Sequence, residues 1–139
     1  MPNPYRRDPL DTRRGFLKSL LVFLGLLGLP IGSARAKDLA VPLKKAPKLK
    51  KVGGWTVLKI KDHSILFVRD AQDSIRALSS ACTHKQCQTA YSPDSHEIEC
   101  PCHGSAFDLT GKVLKGPADT PLKKYPAKLS KGRVIVTVD

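Results

Sequence analysis

The sequence predicts an all-β domain behind a short N-terminal appendage. From residue 55 onward, the apolar residues recur in short runs rich in β-branched and aromatic types. Compact polar segments such as Lys61-Asp62-His63 and Asp70-Ala71-Gln72-Asp73 punctuate those runs. Beyond residue 36 no stretch repeats its apolar residues at a helical period. A chain of 139 residues, 41% of them hydrophobic, supports one such domain and an appendage.

Residues 1–36 are expected to be an export segment. Arg6, Arg7, Arg13, Arg14 and Lys18 form a basic start, Leu20 to Ile31 is an apolar run, and Ala34-Arg35-Ala36 has the form of a cleavage site. Thr12 to Lys18 reads TRRGFLK and looks like a twin-arginine signal, the route for proteins that fold before transport. Phe16 to Ala34 is also just long enough to remain as a membrane anchor, so cleavage and retention both stay open. In either case the basic end stays inside and the body lies on the periplasmic side of the inner membrane.

Residues 37–51 are expected to be a basic linker. Lys37, Lys44, Lys45, Lys48, Lys50 and Lys51 alternate with Pro42 and Pro47, and the apolar residues are few. The linker reads as a solvated tether, or as a basic surface meeting anionic lipid or an acidic partner. The net charge of +12 does not argue for nucleic acid in an exported chain.

The folded domain is expected over residues 52–139. Trp55–Ile60, Ser64–Arg69 and Ser74–Ser79 form an antiparallel meander. His96–Glu99 is a short strand, Leu109-Thr110-Gly111 turns a tight hairpin between Phe107-Asp108 and Lys112-Val113, and Arg133–Val138 closes the domain.

Between the meander and the closing strand lies the chemistry. Residues 82–87 read CTHKQC and residues 100–107 read CPCHGSAF, which together hold all four cysteines and two histidines. Two short Cys/His loops on separate backbone segments can converge on a metal centre. Two cysteines and two histidines suit a structural zinc site as well as an iron–sulfur centre, so a zinc-stabilised binding module stays on the list. His63, in a turn, and His96, in a polar loop, are expected to be solvated bystanders; they cannot build the second iron site that an oxygenase would need.

The two loops, with Pro101 and Gly104-Ser105, resemble the Rieske iron–sulfur proteins of the disulfide-containing type found in cytochrome bc-type complexes. The resemblance spans roughly residues 50–138. It implies a base of antiparallel sheets with a cluster-binding subdomain inserted between Ser80 and about Pro121. It implies one 2Fe-2S cluster, with Cys82 and Cys100 on one iron and His84 and His103 on the other. It further implies a Cys87–Cys102 disulfide tying the loops together, which an exported chain can keep, and a Ser105 hydroxyl bonded to a bridging sulfide. Gly116-Pro117-Ala118 and Pro121 match the proline loop that covers the cluster.

Such a chain would be the electron-transfer subunit of a quinol:cytochrome c oxidoreductase. Its partners would be a cytochrome b-type subunit and a c-type cytochrome, with quinol met only indirectly, and it would not be catalytic alone. The alternative is a stand-alone periplasmic carrier or the small subunit of a periplasmic oxidase such as arsenite oxidase. Two departures bear on the choice. Phe107 stands where high-potential members carry a tyrosine that bonds a ligand sulfur, which points to a lower potential. Lys85-Gln86 replaces the usual Leu-Gly and puts a hydrated charge at the tip where quinol-oxidising members dock on cytochrome b.

Overall fold

The computed structural model describes residues 36–139. The signal or anchor expected at the N-terminus lies outside the described residues. Among the described residues no helix is long and apolar enough to cross a membrane.

The expected all-β architecture is present as three antiparallel sheets. The first pairs β1 (Lys37–Pro42), β10 (Arg133–Val138) and β9 (Ala127–Ser130) in that order, and the second runs β2 (Trp55–Ile60), β3 (His63–Ala71), β4 (Ser74–Ser79). The third runs β5 (Ala90–Ser92), β6 (Glu97–Glu99), β7 (Ala106–Phe107), β8 (Val113–Lys115).

β3 organises the packing. Successive side chains of a strand point to opposite faces, and Ile65 to Val68 are all fully buried. Ile65 and Phe67 enter one core with Leu49, Val134, Val136 and Val138. Leu66 and Val68 enter a second core with Leu78, Ile98, Phe107, Cys82 and Cys100. Each fully buried side chain of this size stabilises the fold by about 1.5–3 kcal/mol. One strand therefore joins the base to the ligand-bearing sheet.

Residues 37–51 differ from the expected solvated linker. β1 pairs with β10 over its whole length, from Lys37 opposite Val138 to Pro42 opposite Arg133. Leu39 and Val41 turn toward the base core, and a 3-10 helix at Pro47–Lys50 buries Leu49 completely. Alternation explains it: an edge strand needs only every second residue to be apolar, so Leu39 and Val41 suffice while the lysines stay exposed.

Arg69, at the far end of β3, holds this segment in place. Its guanidinium donates to the carbonyls of Leu49 and Lys50, both at 3.1 Å, and also to those of Ala71 and Gln72. Gly54 closes the connection from the other side. A Cβ there would overlap the Lys48 carbonyl oxygen, a backbone atom that cannot give way.

The chain leaves the base after β4 and returns beside it. Ser79 N–H donates to Lys123 O at 2.8 Å and Tyr125 N–H to Ala77 O at 2.9 Å. Residues 80–122 thus form an insertion whose two ends meet at β4, as the resemblance implies. Its terminal hairpin turns at Asp108, whose carboxylate accepts from Thr110 N–H (2.8 Å), the Thr110 hydroxyl (2.6 Å) and Lys112 N–H (2.9 Å). Burial works against the charged carboxylate, but these bonds and the nearby Lys112 charge outweigh it and hold Asp108 below the usual range.

Two outcomes follow from these contacts. Arg69→Met should destabilise the fold by about 2 kcal/mol in denaturant titration, since bonds from a charged donor to carbonyls are lost together; Arg69→Lys should recover little, because one ammonium cannot replace a planar fork. The depressed Asp108 contributes stability that is present above its unfolded value near pH 4 and lost as pH falls through its lower folded value. Asp108→Asn should therefore flatten the acid limb of the stability–pH curve.

Candidate metal centre

Both ligand loops are built on one backbone pattern. In the first, Cys82 N–H donates to Cys87 O and Gln86 N–H to Cys82 O, each at 2.8 Å. In the second, Cys100 N–H donates to Ser105 O at 2.8 Å and Gly104 N–H to Cys100 O at 3.0 Å. Each cysteine thus starts a turn closed by the residues four and five places on, and the fourth is left-handed in both, Gln86 at φ 59° and Gly104 at φ 74°. Glycine adopts that conformation freely, whereas a residue with a Cβ gives up about 1–2 kcal/mol. Gln86 therefore carries strain that Gly104 does not.

The turns present their cysteines inward. Cys82 and Cys100 are buried, unbridged and in contact. Burial pushes the Cys100 thiol up, and its hydrogen bond with Cys82 pushes the same way. The main-chain amides of Cys102 and His103 aim at the Cys100 sulfur and oppose that shift. A pocket that disfavours negative sulfur yet points two N–H groups at it suits thiolates whose charge a metal would share.

The histidines complete the set. The His84 and His103 rings lie 4.8 Å apart between centroids, edge to face. His84 Nδ1 is buried and has no hydrogen-bond partner among the described residues, an orphan that a metal bond would satisfy. His103 is exposed. Two inward thiols, a buried imidazole nitrogen without a partner and a second imidazole at its side match the donor set of a mixed Cys/His iron–sulfur centre.

Cys87 and Cys102 take a different role. Their sulfurs are bonded, with Cα atoms 6.5 Å apart, so the bridge ties one loop to the other. The sulfurs of Cys87, Cys100 and Cys102 lie within 4.8 Å of one another, but two of the three are spent on the disulfide and do not offer themselves to an ion.

A third segment straps the loops from outside. The Thr83 hydroxyl donates to Thr120 O at 2.7 Å, and Ser105 Oγ accepts from Ala118 N–H at 3.0 Å. The proline-bearing run 116–121 is therefore fixed once to each ligand loop. Ser105 is buried and uses a lone pair here, which leaves its own proton for donation. The strap role of Thr83 was not legible in the sequence, where nothing links residue 83 to residue 120.

Phe107 is fully buried in the same core as Cys82 and Cys100 and has no hydroxyl to donate. Lys85, one residue beyond His84, is exposed. His96 is exposed, as expected, whereas His63 is half-buried. His63, in β3, shares hydrogen bonds at 3.3 Å with the Tyr125 hydroxyl and with Asp139 O, and His96 Nδ1 meets the buried Tyr91 hydroxyl at 3.0 Å. Tyr125 lies 62 residues from His63, so that contact is not visible in the local sequence, whereas Tyr91 is a near neighbour of His96 across the β5–β6 turn.

Comparison with known proteins places these features. The sequence pattern of the Rieske [2Fe-2S] domain matches residues 40–126. Over 86 residues the chain is 31% identical to the cytochrome b6-f complex iron-sulfur subunit of Chlorobaculum tepidum, covering 62% of this chain and 47% of that one. The chain thus spans about half the length of that curated relative. Among solved structures it is similar to the cyanobacterial plasma membrane Rieske protein PetC3 from Synechocystis PCC 6803, at 29% identity and a TM-score of 0.59, covering 70% of this chain and 97% of that one. It is also similar to the ferredoxin of carbazole 1,9a-dioxygenase from Nocardioides aromaticivorans IC177, at 26% identity and a TM-score of 0.60, covering 72% and 96%.

The disulfide closes a loop with a sequence separation of 15, for which chain entropy gives about 3 kcal/mol. Replacing Cys87 and Cys102 together by serine should lower the unfolding free energy by about that amount, read by denaturant titration of the full chain. A loss well under 1 kcal/mol would show that the strap alone holds the loops.

Proposed function

We propose, for a chain that belongs to the Rieske 2Fe-2S family, that Cys82 and Cys100 hold one iron of the cluster and His84 and His103 the other. The chain is an electron-transfer protein homologous to the iron-sulfur subunits of cytochrome b6-f complexes, and it works as an electron-transfer subunit rather than a catalyst alone. The bound cluster supplies one-electron chemistry, at potentials of about −150 to +300 mV for centres with two His ligands.

The chain's own residues set the terms of that transfer. Cys82 and Cys100 sit in the second core and keep water from their side. The amides of Cys102 and His103, with the free proton of Ser105, favour added negative charge. With Nδ1 bound to the metal, His84 would keep Nε2 to hold a proton, and the exposed His103 ring beside it would do the same with its unbound nitrogen. An electron and a proton can leave a donor at this edge together.

We infer that the protein is the iron–sulfur subunit of a cytochrome bc-type quinol:cytochrome c oxidoreductase on the periplasmic side of the inner membrane. It would face a cytochrome b-type subunit and pass electrons to a c-type cytochrome. The observation that carries this reading is the Cys87–Cys102 bridge between the loops, the mark of the quinol-oxidising branch. A second reading, a stand-alone carrier or small oxidase subunit, draws on exposed Lys85, whose hydrated charge suits a polar partner better than an apolar membrane pocket.

Purified full chain, reduced stepwise and followed by EPR and visible spectra at several pH values, tests the assignment. A mixed-ligand 2Fe-2S signal is expected, with a midpoint that falls as pH rises. A colourless protein holding stoichiometric zinc would sink it. Co-purification with a b-type cytochrome in membranes favours the first reading, and a soluble product free of it favours the second. Phe107→Tyr should raise the midpoint, because a phenolic proton would then reach a ligand sulfur; an unchanged potential would remove Phe107 as a determinant.

A further inference from the structure

We propose that the end of the base formed by the Leu43–Gly54 connection and the β9–β10 turn rests on an anionic lipid surface. The two pieces are joined: Leu43 N–H donates to Gly132 O at 3.0 Å. Lys44, Lys45, Lys50, Lys51, Lys131 and Arg133 all stand exposed on them. The segments that form this end, residues 43–54 and 130–133, contain no carboxylate at all. Of the two ion pairs among the described residues, Lys123–Asp139 lies elsewhere and Arg76–Asp70 borders the neighbouring β3–β4 turn. The neighbouring β3–β4 turn brings in two acids, of which Asp70 is held by Arg76 and Asp73 alone is left to offset the cluster.

An acidic protein would be served by lysines alone. Val52 argues for lipid. It is 53% exposed, one of two large apolar side chains so exposed among the described residues, and directly follows Lys50 and Lys51. Lys48 lies 5.7 Å above the ring of half-buried Trp55, just beyond it. An exposed apolar residue directly after two lysines, with an indole three residues on beneath a third lysine, matches the layering of a bilayer surface, anionic headgroups outside and hydrocarbon beneath. The connection is also held rigid by buried Leu49 and by Arg69 on its carbonyls, so docking orders little that is not already ordered.

Trp55 is the only tryptophan of the chain, and its emission reports this end rather than the N-terminal segment. Full chain carrying its cluster would be mixed with vesicles of phosphatidylcholine alone, and of phosphatidylcholine with roughly one third phosphatidylglycerol. Only the anionic vesicles should shift Trp55 emission to the blue, and high salt should reverse the shift. Lys44→Glu, Lys45→Glu, Lys50→Glu and Lys51→Glu combined should weaken this anionic-lipid-dependent binding at least about tenfold. Val52→Asp should reduce it, with the visible spectrum confirming that each variant stays folded.

Emission that is the same in both vesicle types overturns the proposal, as does a shift that survives the four substitutions. So does a shift that disappears on changing Arg6, Arg7, Arg13 and Arg14 to glutamine instead. A shift with polyglutamate but none with anionic vesicles would assign the surface to an acidic protein and overturn it equally.

Discussion

Ile65, Leu66, Phe67 and Val68 impose the constraint on which the rest depends. A strand that buries both faces must find apolar partners on both sides, and here those partners belong to different parts of the protein. One side fixes the β1–β10–β9 sheet; the other fixes the third sheet through Ile98, Phe107 and the buried Cys82 and Cys100. The electron-transfer site is therefore continuous with the hydrophobic core and is not an ornament on its surface. Four residues that say nothing about redox chemistry decide whether Cys82 and Cys100 can meet.

Within that frame the ligand loops divide the labour between backbone and side chain. The same pair of hydrogen bonds shapes both turns, yet the first places its histidine two residues after the cysteine and the second three. A shared frame with unlike decoration lets the rings of His84 and His103 stand edge to face at one end of the site, with one ring more sheltered than the other. The disulfide and the Thr83 and Ser105 bonds to the 116–121 run then restrain the two turns independently, one covalently and the others by hydrogen bonding. A site held twice undergoes little reorganisation when its charge changes, which is what an electron carrier requires.

Most of this was legible because it was local. β2, β4 and β10 have the boundaries that their apolar alternation announces, and β3 differs by a residue or two at each end. The Cys/His spacing and the family resemblance point to a donor set, and the folded chain puts Cys82 beside Cys100 and the His84 ring beside the His103 ring. What escaped the sequence depended on partners far along the chain. β1 reads as tether because the six lysines of residues 37–51 mask Leu39 and Val41, and only β10, about a hundred residues away, makes a strand of it. β5 and β9, three and four residues long, are defined by their neighbours' ladders rather than by any pattern of their own. His63 escapes the local reading for the same reason, since Tyr125 lies 62 residues away.

The neck of the insertion has a consequence of its own. Residues 80–122 depart and return at adjacent points of β4, where Ser79 and Lys123 share a main-chain hydrogen bond of 2.8 Å. Whatever happens to the length or shape of the segment between them, the base sees the same two backbone ends at the same spacing. The redox part can therefore be varied as a cassette, lengthened, recharged or retuned, without asking the base to refold. The base can in turn change its surface without disturbing Cys82, His84, Cys100 and His103. A departure such as Lys85 at the tip sits inside the cassette, and the lysines of the Leu43–Gly54 connection sit outside it. Selection can thus act on what the protein meets at its electron-transfer edge separately from what holds its other end.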